Sequence, residues 1–395
     1  MTDQSTEQAP AEVSFWRDPH KRALLFQVVV LAAVGIFFAY IFSNTLHNLE
    51  KRGISTGFAF LNNQAGFGIL FSLIPFNETD TFGRTFLVGL LNTLLVSAIG
   101  IVFATLLGFV IGVARLSHNW IISRLANLYI EIFRNIPLLL QILFWYFAML
   151  PLLPHPRQSF SFEDAVFMNN RGLYLPAPVF ESGFGWVLIA LAVAVVAVIV
   201  LSRWAHKRQD ATGQTFPVFW ISLAALLGLP LLVFGLAGSP LSWDLPALRG
   251  FNFKGGMTVI PELVSLAAAL AIYTAAYIAE IVRSGIQSVS HGQTEAARAL
   301  GLKHGPTLRL VIIPQAMRVI IPQMTSQYLN LTKNSSLAPA IGYPDLVAVF
   351  AGTTLNQTGQ AVEIIAMTMG VYLTISLSIS AFMNWYNKRV ALVER

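Results

Sequence analysis

Three sets of polar residues stand out against a chain that is 55% hydrophobic. The first is EAARALGLKHGPTLRLVIIP, residues 295–314, where Glu295, Arg298, Lys303, His304 and Arg309 sit on a frame of small residues with Gly301 and Gly305. It holds no nucleophile with a base, no paired carboxylates and no metal-ligand spacing. Small residues such as Ala296, Ala297 and Gly301 instead let another surface approach the backbone, and Arg298, Lys303 and Arg309 supply a charged rim for docking. The second set is Lys333 among Asn330, Thr332, Asn334, Ser335 and Ser336. A lysine at mid-membrane depth costs about 2.5–3.5 kcal/mol on insertion scales, so it is kept where it faces a cavity or a partner. Either this patch lines a solute path and meets a substrate carboxylate, or it is structural, near water or paired with an acid such as Glu280. The third set is two acid–base pairs at a spacing of three, Glu280 with Arg283 and Glu131 with Arg134, which share a helix face and read as structural anchors.

Catalysis finds no support in the remaining residues. There is no G-x-x-x-x-G-K-[ST] loop to cradle ATP phosphates, no nucleophile elbow, no zinc spacing among the seven histidines and no cysteine. We therefore assign no catalytic residues, metal or cofactor to this chain, and any energy input has to come from another subunit.

The elements that position these residues are membrane helices. Only 11% of residues are charged, where a globular domain carries about a quarter. Apolar runs of about 20 residues fall near 23–43, 86–112, 135–153, 185–202, 217–238, 259–282, 320–341 and 361–384, giving eight expected spans. With the N-terminus inside, the inner segments collect seventeen Lys and Arg, from Arg17 to Arg395, against seven outside, among them Arg52. That bias puts both termini in the cytoplasm. The net charge of +6 thus reflects topology and the lipid bilayer, not nucleic acid. The first run reads as a retained signal anchor, since no small-residue cleavage site follows it. Trp16, Trp186, Trp243 and Trp385 read as interface anchors. Pro137 marks an elbow between an interfacial helix and its span. Gly108 and Gly112 permit close packing, against a partner subunit or within the chain. The outer segment 44–84 reads as a structured cap, and both long outer loops are expected to hold short interfacial helices and turns.

Within 285–322, no run is long enough to cross, and the segment lies inside. Thr294 precedes a short helix over 295–300, Gly301 is its left-handed cap, and a second short helix over 305–313 begins near Pro306 and stops at Pro314. A plain basic loop resting on an anionic leaflet would have the same composition.

The order Glu295, Ala296, Ala297, three residues, Gly301, nine residues, then Val311, Ile312, Ile313, Pro314 resembles the EAA signature of binding-protein-dependent ABC importer permeases, departing only by Val311 for isoleucine and Ile313 for leucine. The stretches 87–117, 129–147 and 273–301 resemble the polar-amino-acid branch of that family. The inserted spans, the AHKRQDATGQ loop (205–214) and SQYLNLTKNSSLAPAIGYPDLV (326–347) resemble its long Q-type subunit, found in general L-amino-acid importers of Gram-negative bacteria.

The resemblance implies an all-α, polytopic permease of the bacterial inner membrane. Residues 1–85 would form a tail, anchor and periplasmic segment, and 86–395 the permease domain, with an inserted hairpin at about 185–238 and a coupling segment at about 285–322. Spans two, three, six, seven and eight would be the five-helix core. It implies further that Glu295, Ala296, Ala297, Arg298, Gly301, Arg309 and Pro314 couple to the ATPase. The partners implied are a homologous permease, two ATPase subunits carrying ATP and Mg, and a periplasmic amino-acid-binding protein, moving an L-amino acid. The path residues Asn330, Lys333, Asn334 and Ser335 come from the residue types alone. A gradient-driven carrier is one rival class; it predicts buried midplane acids and paired broken helices, for which candidates are few, and a non-transporting receptor or scaffold, which would also retain the outer loops, is the second.

Overall fold

The computed structural model describes residues 19–51, 53 and 56–390. Trp16, Arg17, Arg52 and Arg395, which entered the anchor and charge readings, lie outside the described residues. Among the described residues six helices are long and apolar enough to cross a membrane: α1 (Pro19–Lys51), α2 (Phe82–Arg115), α5 (Phe184–Thr212), α6 (Val218–Leu236), α7 (Pro261–Gln287) and α12 (Ala361–Val390). A bent pair, α3 (Trp120–Asn135) and α4 (Leu138–Met149), makes a seventh crossing if taken as one span. The remaining expected span, 320–341, seventh along the chain, is different in kind. It falls on α10 (Ile313–Asn334) and a following 3-10 segment, Ser335–Ile341, and α10 is less apolar than the six long helices because polar side chains occupy one of its faces.

Contacts divide the chain into two units, one formed by residues up to Leu91 with Leu346–Ile375, the other by Asn92–Asp345 with Ser376 onwards. In the second unit α7 is the centre. Of its most apolar stretch 67% is buried in protein, against 11% for α5 and 0% for α6, so the α5–α6 hairpin presents itself to lipid or a partner. The chain's small residues explain how α2 reaches α7: a Cβ on Gly108 would lie 2.6 Å from the Ile278 Cβ, and one on Gly112 2.7 Å from the Ala279 carbonyl oxygen. These glycines therefore serve packing within the chain.

The elbow follows from Pro137. Ile136 before it is extended, φ −95° and ψ 128°, as the proline ring demands, and α3 meets α4 at 106°. Breaking a helix in an apolar setting frees carbonyls that need donors. Gln141 supplies them: its Nε2 donates to the Phe133 and Ile136 oxygens, both at 2.9 Å, with the side chain 3% exposed.

Outside the helices the described residues of the second unit carry eight short strands, four of them in the loop before the hairpin, where interfacial helices and turns were expected. β1 (Phe160–Phe162), β2 (Val166–Asn169), β3 (Gly172–Leu175) and β4 (Ala177–Phe180) precede the hairpin, and β5 (Leu241–Asp244), β6 (Ala247–Arg249), β7 (Asn252–Lys254) and β8 (Met257–Val259) follow it. They form sheets in the orders β1-β2-β3-β8, β4-β5 and β6-β7. The pairing of β3 with β8 and β4 with β5 closes the base of the inserted hairpin. Phe253 seals the junction, 4.6 Å from the Phe167 ring and 4.8 Å from Tyr174.

In the first unit residues 56–81 form the ordered cap that their apolar content implied. Phe60, 3% exposed, packs on Phe82 and stacks on Phe350 at 6.2 Å, and the Gly57 N–H donates to the Glu363 carboxylate at 2.7 Å. The unit also holds a π-helical segment, Val347–Thr354, running into α11 (Leu355–Thr358).

Candidate functional site

The segment 285–322 folds as a knuckle. α8 (His291–Ala299) is a nine-residue helix that starts four residues earlier than the run of strong formers implied. Its end is a Schellman cap: the Gly301 N–H donates to the Arg298 oxygen at 2.9 Å, the Leu302 N–H to the Ala297 oxygen at 3.1 Å, and Gly301 has φ +77°. Only glycine takes that left-handed conformation without penalty. Thr307, 3% exposed, donates to the Lys303 oxygen at 3.0 Å and roots the turn. The Gln315 amide reaches the Gln293 oxygen at 3.2 Å, tying α8 to α10.

The surface of this knuckle is mixed. Glu295, Ala296, Arg298 and Ala299 are exposed beside Leu300, an apolar side chain 82% exposed, and Arg309 is exposed as well. Ala297, by contrast, is 4% exposed; it anchors α8 from below, and the open small side chains are Ala296 and Ala299.

Pro314 does not end a helix. α9 (His304–Thr307), a π-helical turn over Leu308–Ile312 and α10 follow one another without a break, so the second short helix is the start of a long rod. Pro314 lies directly after the turn whose wider i→i+5 bonding interrupts the regular ladder, so its missing N–H falls where the α-helical bonding is already broken.

Along α10 the exposed polar positions are Gln323, Ser326, Asn330 and Lys333, spaced so that they share one face; Ile313, Val319 and Pro322, nearer its start, are exposed as well. The opposite face, with Ile320, Ile321, Met324 and Leu331 nearly or fully buried, packs on α7. Asn334 is half-buried at the edge, and Ser335 is fully buried with its hydroxyl donating to the Thr332 oxygen at 2.7 Å. Ser335 is therefore a structural member of the patch. Lys333 has no acidic partner among the described residues; Glu280 pairs with Arg283, whose Nε donates to it at 3.0 Å. Glu131 and Arg134 do not pair: Glu131 accepts from Asn127 at 2.8 Å, and the Arg134 guanidinium sits 5.1 Å from the centre of the Tyr277 ring. Below the lysine, Gln323, Ser326 and Gln327 of α10 join Arg134, Tyr277 and Glu280 around a polar cavity of about 340 Å³.

The residues that sequence reasoning passed over hold the turn after α10. Asn92 and Tyr343 are both fully buried. The Tyr343 hydroxyl donates to the Asn92 backbone oxygen at 2.9 Å, and the Asn92 amide donates to the Pro344 oxygen at 2.8 Å. An asparagine inside the run LLNTLLVS was the available signal.

Residues 211–392 match the family described as binding-protein-dependent transport system inner membrane component. A putative amino-acid ABC transporter permease of Escherichia coli K12 is 59% identical over 96% of both chains. The general L-amino acid transport system permease of Rhizobium johnstonii is 50% identical over 100% of both. A glutamate/glutamine/aspartate/asparagine transport system permease of Rhodobacter capsulatus is 44% identical over 96% of both. Among solved structures, one titled an amino acid ABC transporter with histidines aligns with 78% of this chain and 95% of its own, at 22% identity and a TM-score of 0.46. By its likeness to the first two over nearly their whole length, the chain belongs to the amino-acid ABC transporter permeases, the inner-membrane components of binding-protein-dependent transport systems.

Proposed function

We propose that this permease forms half of an amino-acid path through the membrane and is driven by a separate ATPase gripping residues 291–309. The observation that carries the reading is the knuckle: a helix capped at Gly301 that shows Leu300, Glu295, Arg298 and two alanines outward, a mixed apolar and charged surface of the kind that docks. ATP and Mg belong to that ATPase. The other half of the path is a homologous permease, and a periplasmic binding protein delivers an L-amino acid. This arrangement gives Gln323, Ser326, Asn330 and Lys333 a wet surface to face, since an exposed polar stripe is costly against lipid. Lys333 meets the substrate carboxylate as it passes. Lys and Arg placement supports cytoplasmic termini and a cytoplasmic knuckle. Binding protein and ATP turn the path outward, and hydrolysis returns it inward; each state needs its own contacts with the knuckle, or hydrolysis has nothing to bias.

Reconstitution in proteoliposomes tests this. Uptake of a labelled amino acid should require ATP, the second permease and the binding protein together. Uptake by this chain alone, driven by an ion gradient, would refute it.

A further inference from the structure

At the corner where α2 gives way to α3 lies a polar cavity of about 430 Å³, lined by Arg115, Ser117, His118, Ser123 and Arg124 among others. No carboxylate ion-pairs with either arginine among the described residues. Arg115 gives a single bond, from Nη1 to the Ser123 hydroxyl at 3.1 Å, and the Arg124 guanidinium rests 5.8 Å from the centre of the Trp120 ring. Ser117 Oγ accepts the Asn119 N–H at 3.1 Å, so its own proton is left to donate. Two guanidinium forks with unspent donors match the oxygens of a phosphate. The depth of the cavity follows from α3: Trp120, Ile121, Leu125 and Leu128 are 70%, 60%, 61% and 53% exposed, the apolar face of a helix lying at the headgroup boundary.

A second feature lies along the same helix. An apolar cleft of about 680 Å³ runs between α2 and α7, with Ile99, Phe103, Leu106 and Val110 on one wall and Ala268 and Ala271 on the other. The α2 positions step by four, three and four, and the next step along that face reaches Ala114 in the last turn; Ser117, two residues past the end of α2, lines the polar cavity. From Ile99 to Val110 the helix rises about 16 Å, close to the hydrocarbon depth of one leaflet, about half of 30 Å. We propose that this corner binds one anionic glycerophospholipid, its phosphate held by Arg115 and Arg124 and one acyl chain laid in the α2–α7 cleft. Its assignment to the inner leaflet rests on the charge-based orientation above; lipid binding itself does not.

Native mass spectrometry of the full-length chain, released from detergent after incubation with defined lipids, tests the site. The unaltered chain should retain one phosphatidylglycerol about thirtyfold more than phosphatidylcholine, as two nearby arginines would give. Arg115→Gln with Arg124→Gln should abolish that preference in a chain that stays monodisperse, and Ala268→Phe, which fills the cleft, should lower retention of both lipids. Millimolar inorganic phosphate should not compete. Equal retention of the two lipids by the unaltered chain overturns the headgroup assignment whatever the variants do. Displacement by phosphate means a small-anion site and overturns the lipid. Unchanged retention in the folded double variant, or in the Ala268→Phe chain, overturns the part it probes.

Discussion

Replacing Gly301 isolates the knuckle's geometry from its surface chemistry. A Cβ built there meets nothing within 4 Å, so the cost of a side chain is conformational and comes from φ +77° alone. A non-glycine L-residue in that region loses about 1–2 kcal/mol, asparagine less because it tolerates the conformation, and valine more because of its branched Cβ. The penalty falls on the two capping bonds, Gly301 N–H to Arg298 and Leu302 N–H to Ala297. A loss of 1–2 kcal/mol multiplies opening of the cap about 5- to 30-fold. Hydrogen exchange at the Leu300 and Leu302 amides should then quicken in the order Gly, Asn, Ala, Val, with the chain still inserted. ATP-coupled uptake in proteoliposomes should fall in the same order while ATP hydrolysis persists. Equal exchange and full coupling in all four chains would show that the left-handed cap holds nothing that matters.

Three further substitutions probe other links. Gly112→Leu forces side-chain atoms into the Ala279 carbonyl, 2.7 Å from the new Cβ, and should destabilise by about 1–3 kcal/mol; an unchanged melting temperature in detergent would mean α2 and α7 do not approach this closely. Tyr343→Phe removes the donor to the Asn92 oxygen and should cost only about 0.6 kcal/mol, the mean for such bonds in membrane proteins, read as a small fall in melting temperature with transport retained. Lys333→Ala should change uptake while ATPase docking, followed by co-purification, persists; transport left untouched would make the exposed lysine a structural residue.

How much of this was readable in the sequence depends on how local each signal is. Apolar length located α1, α2, α5, α6, α7 and α12, because twenty residues of one character leave no competing reading. The elbow at Pro137 and the cap at Gly301 were legible for a related reason: ring closure and a missing Cβ act on the backbone where they stand. Pro314 misled, since a proline in a first helical turn and one after a last turn look alike, and the π-helical turn that joins α9 to α10 has no residue signature. The strands were hidden by length: three or four residues from each side of the hairpin pair only after α5 and α6 fold back, so β3 finds β8 across more than 80 positions. Span seven was half right for an instructive reason. Its buried face, Ile320 to Leu331, is apolar enough to extend a hydropathy run, while Gln323, Ser326, Asn330 and Lys333 on the other face belong to no lipid-facing helix.

That polar face and the knuckle are joined by one piece of chain, and this constrains any account of coupling. From Ile313 to Lys333 the helix spans about 30 Å, and α9, the π-helical turn and α10 lead into it from His304 without a loop. A load applied at α8 therefore crosses only the capped turn 300–303 before it reaches the lysine through helix. The chain offers two places for such a load to be absorbed. One is the turn Leu308–Ile312, whose i→i+5 bonding is the weaker kind; the other is Pro322, which removes a bond inside α10. Between and beyond them Ile320, Ile321, Met324 and Leu331 are held against α7, itself the most enclosed helix, so the upper part of α10 can change position only by carrying α7 or by sliding on it. Packed helices slide or rock between discrete arrangements sooner than they deform continuously. A grip on Leu300 and Arg298 would accordingly be felt at Asn330 and Lys333 as a choice between two packings of α10 on α7, with the π-helical turn setting how much of the stroke is lost on the way.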